Sequence, residues 1–404
     1  MASQSTPDFE NSLERARDLI DGHLQTAVSL QSILETLTKE GQALWEENRH
    51  LKDQLDSAQT HIFNLQPYLR DLTPDEVGRD YDDLVGSVQD LVAQLMKPWL
   101  DDQEIGVRKI LKMADRRPGD VKSFQAAIGK QTDLVNASGY VETDEDILVA
   151  LILRHLWDNV IESNLYGCIL NYTKTIRLIE DSLTTAVEPN RDLFSVRSWK
   201  AEAYNALVSA PGFEDMRRKR GRELSQELAD ILAIFREPES HARLVKEVKQ
   251  RCVLPSMKLN EKLLTSVHQC WKETEIYCVE TRPGHISTVR EFFTSLDTMD
   301  TEDLLQNRKT LNLSKMGANL SREEVEERLF YVCTIVPGLF MRRIGQKNKT
   351  GDAVVLRKQR TLVGWGTNEQ RQDFCEGKVG SYACHLLNWS ERRPERWQLW
   401  AFHK

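Results

Sequence analysis

The 404-residue chain lacks the short motifs that usually announce chemistry. Neither GxxxxGK[ST] nor GxGxxG occurs, so no glycine loop is set to cradle phosphates, and Gly364-Trp365-Gly366 reads only as a turn. GxSxG, HExxH and the kinase motif set are missing as well, which leaves no sequence-visible nucleophile, zinc protease or phosphotransfer site. There is no CxxC pair. His268, Cys270, Cys278 and His285 carry ligand chemistry, but the first two stand two apart on an expected helix and diverge, and Cys375 with Cys384-His385 is spaced no better. No cofactor and no metal are therefore expected. Carboxylate pairs such as Asp82-Asp83 and Asp101-Asp102 are too common on helices to argue acid–base catalysis.

Other absences bound the compartment. Seven cysteines, an odd and scattered set, exclude a disulfide framework and indicate a reducing environment. The opening MASQSTPDFE has neither the basic-then-apolar order of a secretory signal nor the arginines of a transit peptide. The longest strongly apolar run, Ile147–Leu153 continuing through Leu156 and Trp157, is interrupted by Arg154 and His155 and is too short to span a bilayer. An intracellular chain without membrane insertion, cytoplasmic or nuclear, is the expectation.

What is present speaks of construction. Composition is that of an ordinary globular protein, 40% apolar and 29% charged, and the length allows two or three domains with real cores. The net charge of −8 is unevenly spread: residues 1–100 hold 8 Lys+Arg against 18 Asp+Glu, whereas residues 340–404 hold 13 against 6. An acidic head and a basic tail call for different partners, or for each other.

The most ordered pattern lies near the N-terminus. Leu30, Leu37, Leu44, Leu51, Ala58 and Leu65 fall seven apart, and Leu34, Gly41, Asn48, Leu55 and Ile62 fall four after each of the first five. These are the d and a files of a coiled coil. We expect a tail over 1–10 and one coiled-coil helix over 11–66, stopped by Pro67. Its dependable dimerisation residues are Leu44, Asn48, Leu51, Leu55, Ile62 and Leu65. Before Gly41 the apolar stripe is broader, from Leu13 through Leu37, and suits packing against other helices equally well. In a parallel homodimer Asn48 pairs with its twin and fixes register, and Glu47 at g faces Lys52 at the following e.

Beyond it, Thr73-Pro74-Asp75-Glu76 opens a helix that carries Val77, Tyr81, Leu84, Val88, Leu91, Val92, Leu95 and Met96 on one face. Helices follow to about residue 278, the most apolar over 144–163 and capped by Thr143, so 70–280 reads as an α-helical bundle. Residues 281–321 are polar and read as a linker, with a short helix possible at Thr301–Asn307. Residues 322–404 then supply strand-like runs at Phe330–Val336, Leu339–Ile344, Ala353–Leu356 and Thr361–Trp365, with a glycine-bounded hairpin loop at 345–352. Tyr382, Trp389, Trp397, Trp400 and Phe402 suit the closing of a small β-rich core. The fold class is thus mainly α: a long N-terminal coiled-coil helix, a multi-helix bundle and a small β-rich (α+β) C-terminal region.

Two basic clusters are the candidate sites. Arg342, Arg343, Lys347, Lys349, Arg357, Lys358 and Arg360 surround the hairpin with Asp352 as the one acidic residue in that span. Arg217-Arg218-Lys219-Arg220 with Arg222 fits a nuclear-import signal or an anion patch. Both also read as solvated faces, and no RNP strand, GXXG loop or zinc finger accompanies them. A DNA-gripping bZIP is excluded, because Arg15 and Arg17 are the only Lys or Arg before the zipper. The expectation is a non-enzymatic scaffold that self-associates and binds an acidic partner through its basic end. A nucleic-acid-associated regulator is the first alternative, and an enzyme lodged in the helical bundle is the second.

Leu65-Gln66-Pro67-Tyr68-Leu69-Arg70-Asp71-Leu72-Thr73, running into Asp80-Tyr81-Asp82-Asp83-Leu84, resembles a segment of uncharacterised filamentous-fungal proteins in which a coiled coil likewise precedes a helical region. The resemblance covers the first quarter of the chain. It implies a fungal source and carries no activity.

Overall fold

Thr6 to Leu65 is one unbroken helix, α1. It begins within the stretch expected to be a tail. The computed structural model describes residues 6–65, 72–100, 102–188, 191–282, 285–311, 321–345, 347–376 and 380–390. Two units emerge, Met1–Tyr68 and Leu69–Lys404. Along α1 every residue from 11 to 58 is exposed, seam leucines included: Leu44 is 58%, Leu51 53% and Leu55 56% accessible. Ile62 and Leu65 lie on the helix, but their side chains fall outside the described residues, as does Pro67.

The second unit starts with a run of helices: α2 (Pro74–Leu100), α3 (Gln103–Arg116), α4 (Pro118–Ile128), α5 (Thr132–Ser138), α6 (Asp144–Leu156), α7 (Leu170–Thr185), α8 (Leu193–Ser209), α9 (Phe213–Leu232), α10 (His241–Val248) and α11 (Leu254–Leu264). Helix α2 is capped as expected: the Glu76 amide donates to Thr73 Oγ1 at 3.2 Å, and the apolar face from Val77 to Met96 is buried. It runs past Pro98 to Leu100. Thr143 does not cap α6; its hydroxyl donates to Ala137 O and Tyr140 O instead. A π turn, Trp157–Ile161, extends α6, and a second, Lys249–Val253, joins α10 to α11. Wide turns of this kind are often found where a helix is shaped around a site.

Past Leu264 the chain leaves the helical register. The helix expected to reach residue 278 gives way to β1 (Gln269–Glu273) and β2 (Cys278–Arg282), then β3 (His285–Thr288), α12 (Arg290–Ser295), β4 (Met299–Asp303) and β5 (Lys309–Thr310). Tertiary pairing overrides local periodicity here: Cys270 stands opposite Met341 and Trp271 opposite Phe340 across an antiparallel ladder. Thr301–Asn307, expected as a short helix, is the end of β4 and a 3-10 turn at Leu304–Gln306. Helix α13 (Arg322–Arg328) follows, with the Ser321–Glu324 capping box. Then come β6 (Leu329–Val336), β7 (Gly338–Ile344), β8 (Thr350–Arg357) and β9 (Gln359–Trp365), matching the four expected runs, and finally α14 (Asn368–Cys375) and α15 (Tyr382–Leu387). Trp397, Trp400 and Phe402 lie outside the described residues.

Sheet order is β1-β7-β8, β2-β3 and β5-β4-β9-β6, with β4 and β9 parallel. The fold is mainly α with a small sheet-bearing C-terminal region. Strand and helix residues share one apolar core: Val332, Cys333, Ile335, Leu339 and Met341 belong to the same cluster as Ile147–Leu156 of α6. No boundary at 280 or 321 divides it. Among the described residues no helix is long and apolar enough to cross a membrane.

Strand β6 is an edge strand, yet wholly buried, so its outward carbonyls need donors. Helical side chains supply them. Asn136 Nδ2 donates to Tyr331 O and Val332 O at 3.3 and 3.1 Å, and Arg154 Nη2 donates to Thr334 O at 2.8 Å. The same guanidinium grips Asp133 through two bonds, at 2.8 and 2.5 Å. Asp133 in turn accepts from the Tyr331 hydroxyl at 3.0 Å and the Thr334 amide at 3.1 Å. Burial disfavours the charge on Arg154, but Asp133 more than offsets it, and the pKa of the guanidinium moves up. Removing one partner strands the other as a buried charge. Arg154→Met or Asp133→Asn should each cost about 3–5 kcal/mol in urea unfolding of the full chain, whereas the exposed pair Arg218–Asp215 should cost under about 1 kcal/mol.

Candidate functional site

The β7–β8 hairpin is where the sequence placed its larger basic cluster, and the structure divides that cluster in two. At the base of β8, Arg357 pairs with Asp82 of α2, Lys358 Nζ donates to Asp297 O at 2.9 Å, and Arg360 meets Glu302 at 3.4 Å. Those three are engaged by partners far away in sequence. Arg343, Lys347 and Lys349, by contrast, are exposed and make no ion pair among the described residues. The hairpin tip turns through Lys347 and Asn348, both left-handed at φ 57° and 56°. It is held there by α8: the Lys347 amide donates to Asp192 Oδ2 at 2.6 Å, and Asn348 Oδ1 accepts from the Leu193 amide at 2.7 Å. These bonds hold the backbone of the tip against the start of α8.

The outer face of the β1-β7-β8 sheet continues from these cations. Alternation along β7 sends Leu339 and Met341 inward and leaves Phe340 and Arg342 partly exposed, and a register shift between Arg342 and Ile344 turns Ile344 inward. Phe340 stands between Trp271 on β1 and Val355 on β8. Trp271 and Phe340 are stacked, with centroids 5.7 Å apart and planes at 18°. The Arg342 guanidinium lies 5.5 Å from the Trp271 centroid, within the range of a cation–π contact. Val354 and Val355 on the open edge strand are 48% and 44% exposed. Trp271 went unnoticed in the sequence because its stretch reads as helix. The one available signal was Gln269, Trp271 and Glu273 alternating with Cys270 and Lys272.

Beside β1 lies a cleft of about 240 Å³ lined by Trp157, Arg197, Lys200, His268, Cys270 and Trp271. Arg197 donates to Val267 O and His268 O at 2.7 and 3.0 Å, which covers the strand's start. His268 Nδ1 accepts from the Ile344 amide at 3.3 Å. Burial pushes the Cys270 thiol up to about 11, with Arg197 opposing, so it stays protonated and unreactive. The expected helical divergence of His268 and Cys270 does not apply, since His268 lies in a bend before β1, Cys270 lies on the strand, and both line the cleft. Their contacts are nonetheless those of structural groups. Among the described residues no cluster of His, Cys, Asp and Glu could hold a metal ion.

The second basic cluster sits on α9 and is largely neutralised. Arg217 pairs with Glu261 at 3.0 Å and Glu214 at 3.3 Å, Arg218 with Asp215 at 2.8 Å, and Arg220 with Glu223 and Glu227 at 3.3 Å each. Lys219 and Arg222 are exposed. The fold adds Lys249 and Lys258 beside Arg217 and Arg218 in a cleft of about 350 Å³, a convergence invisible in the sequence.

A different cleft, about 380 Å³, is framed by Trp99, Asp144, Glu145, Arg308 and Tyr382. Asp144, in the first turn of α6, is buried and accepts the Tyr382 and Ala383 amides at the start of α15, at 3.0 and 2.9 Å. Burial raises its pKa to about 6 against those two bonds, with Asp146 and Glu145 adding to the rise. No family model, curated protein or solved structure matches the chain.

The Asp144 shift has a definite sign. A carboxyl that binds its proton more tightly folded than unfolded adds stability below the unfolded value of 3.8, and that stability is lost as pH rises through 6. By that linkage the loss amounts to about 3 kcal/mol. Asp144→Asn should therefore gain on the wild type by about 2–3 kcal/mol between pH 4 and pH 7 in urea denaturation. Stability curves that stay parallel across that range would contradict the assignment.

Proposed function

We propose that this chain is a non-enzymatic intracellular assembly protein. It self-associates through α1 and presents the anchored basic hairpin of its body to a negatively charged partner. The observation that carries the reading is the uncovered seam: Leu30, Leu34, Leu37, Leu44, Leu51 and Leu55 are each more than half exposed on one continuous helix. An apolar stripe of that length on an unaccompanied helix is costly in water and is stabilised by a second helix.

A second copy in parallel is the occupant that the seam favours. In that register Asn48 meets Asn48 and Glu47 meets Lys52 of the other chain; an antiparallel pair would set Asn48 against leucine. The hairpin's part rests on Arg343, Lys347 and Lys349, cations without ion pairs among the described residues, on a tip fixed by Asp192. The nucleic-acid alternative keeps support only at that hairpin, because most of the α9 cluster is occupied by carboxylates.

Light scattering coupled to chromatography should give a mass of twice 46.6 kDa for the wild type. Leu44→Gln, Leu51→Gln and Leu55→Gln together should return it to a monomer with an intact circular dichroism signal from the body. A wild type that stays monomeric at all concentrations sinks the reading. Disulfide trapping at Asn48→Cys, rapid for parallel pairing and slow for antiparallel, decides the orientation.

A further inference from the structure

We propose that the outer face of the β1-β7-β8 sheet binds single-stranded nucleic acid, with Trp271 and Phe340 as the stacking platform and Arg342, Arg343, Lys347 and Lys349 as the phosphate contacts. This deepens the reading that the hairpin meets a negatively charged partner, and it rests on that reading.

Candidate partners differ in which of these groups they would use. A carboxylate-rich peptide needs the cations and has no use for two stacked rings beside them. A duplex offers phosphates but keeps its bases stacked on each other. A single strand offers both: anionic phosphates at regular intervals and bases whose flat faces lie on aromatic rings whatever their identity. The structure supplies the matching pair in one place. Trp271 and Phe340 are stacked on adjacent strands, Arg342 already lies against Trp271, and the exposed Arg343, Lys347 and Lys349 continue from the same strand into the anchored tip. Charge complementarity holds locally although the whole chain carries −8. Asp352 on β8 and Glu273 at the end of β1 are the acidic residues on these three strands. Val355, opposite Phe340, extends the apolar row by one strand.

The cations also explain why the tip is held. The bonds from the Lys347 amide to the Asp192 carboxylate and from the Leu193 amide to Asn348 Oδ1 fix Lys347 and Asn348 in left-handed conformations that a free loop would seldom hold. Fixed lysines give a flexible strand a surface already in place, which lowers the cost of binding it.

The test is fluorescence anisotropy of labelled twelve-nucleotide oligo(dT) and oligo(rU) with the full chain, at 50 and 200 mM salt. Binding at the lower salt should weaken about tenfold or more at the higher, as expected for three or four phosphate contacts. Trp271→Leu should weaken it at least fivefold, the loss of one stacked base, and Phe340→Leu should do the same. The triple variant Arg343→Gln, Lys347→Gln, Lys349→Gln alters only exposed side chains. It should weaken binding at low salt and flatten the salt dependence. Competition by polyglutamate and by duplex DNA completes the set; both should compete poorly. No binding at 50 mM salt overturns the proposal. If polyglutamate or duplex competes as well as oligo(dT), and Trp271→Leu changes nothing, the stacking claim falls while the charged-partner reading survives. If none of the three polyanions binds, both fall.

Discussion

The fold of Leu69–Lys404 depends on one buried interaction, the Asp133–Arg154 pair set against β6. A sheet edge buried in protein cannot leave its carbonyls without donors. Here the donors are side chains of α5 and α6, and the charge that supplies the strongest of them is itself neutralised by Asp133. Five other groups converge on the pair: the Gln131 side chain, the Thr334 amide and carbonyl, and the Tyr331 and Thr334 hydroxyls, the last bonded to Tyr331. Thr334 extends the network to Glu275 O and Gln359. Sheet and helices are joined at this point by fixed hydrogen-bond geometry, which apolar packing alone would not impose. Such a pair adds little net stability over well-packed apolar residues, but losing half of it is severe. Its consequence is register: only one placement of β6 satisfies all of its partners.

Much of the helical part was legible because periodicity and punctuation agree there. The face of α2 and the cap at Thr73 follow from residue spacing, and the four late strands from their β-branched and aromatic runs. β1 was hidden because Val267, Cys270 and Trp271 fit a helical spacing about as well as a strand's. Only the partner strand, 69 residues later, decides the matter. Asp144 was hidden for a related reason, since an acidic residue in the first turn of a helix is read as serving that helix. Its two bonds instead cap α15, more than two hundred residues away. The basic cluster was legible as composition but not as charge. Arg357 and Arg360 are neutralised by Asp82 and Glu302, and no local pattern reveals that.

The two units obey different rules. The body gathers most of its large apolar residues into a buried core within the chain. α1 does the opposite, with an acidic, repetitive helix whose leucines face water in a single copy. One sequence thus builds a buried core in the body and leaves a seven-residue leucine repeat exposed on α1. On the body, the β1-β7-β8 sheet sets the stacked Trp271 and Phe340 rings beside exposed cations.

The central claim is that β6 and the helices that cover it stand or fall together. Native-state hydrogen exchange, followed peptide by peptide in increasing urea, measures this directly. The amides of α5, α6, β6 and β9 should share one opening free energy and one denaturant dependence. If β6 and β9 open more than about 2 kcal/mol below α6, a difference well resolved by the spread between local and global opening, the sheet is a separate cooperative unit and the account is wrong.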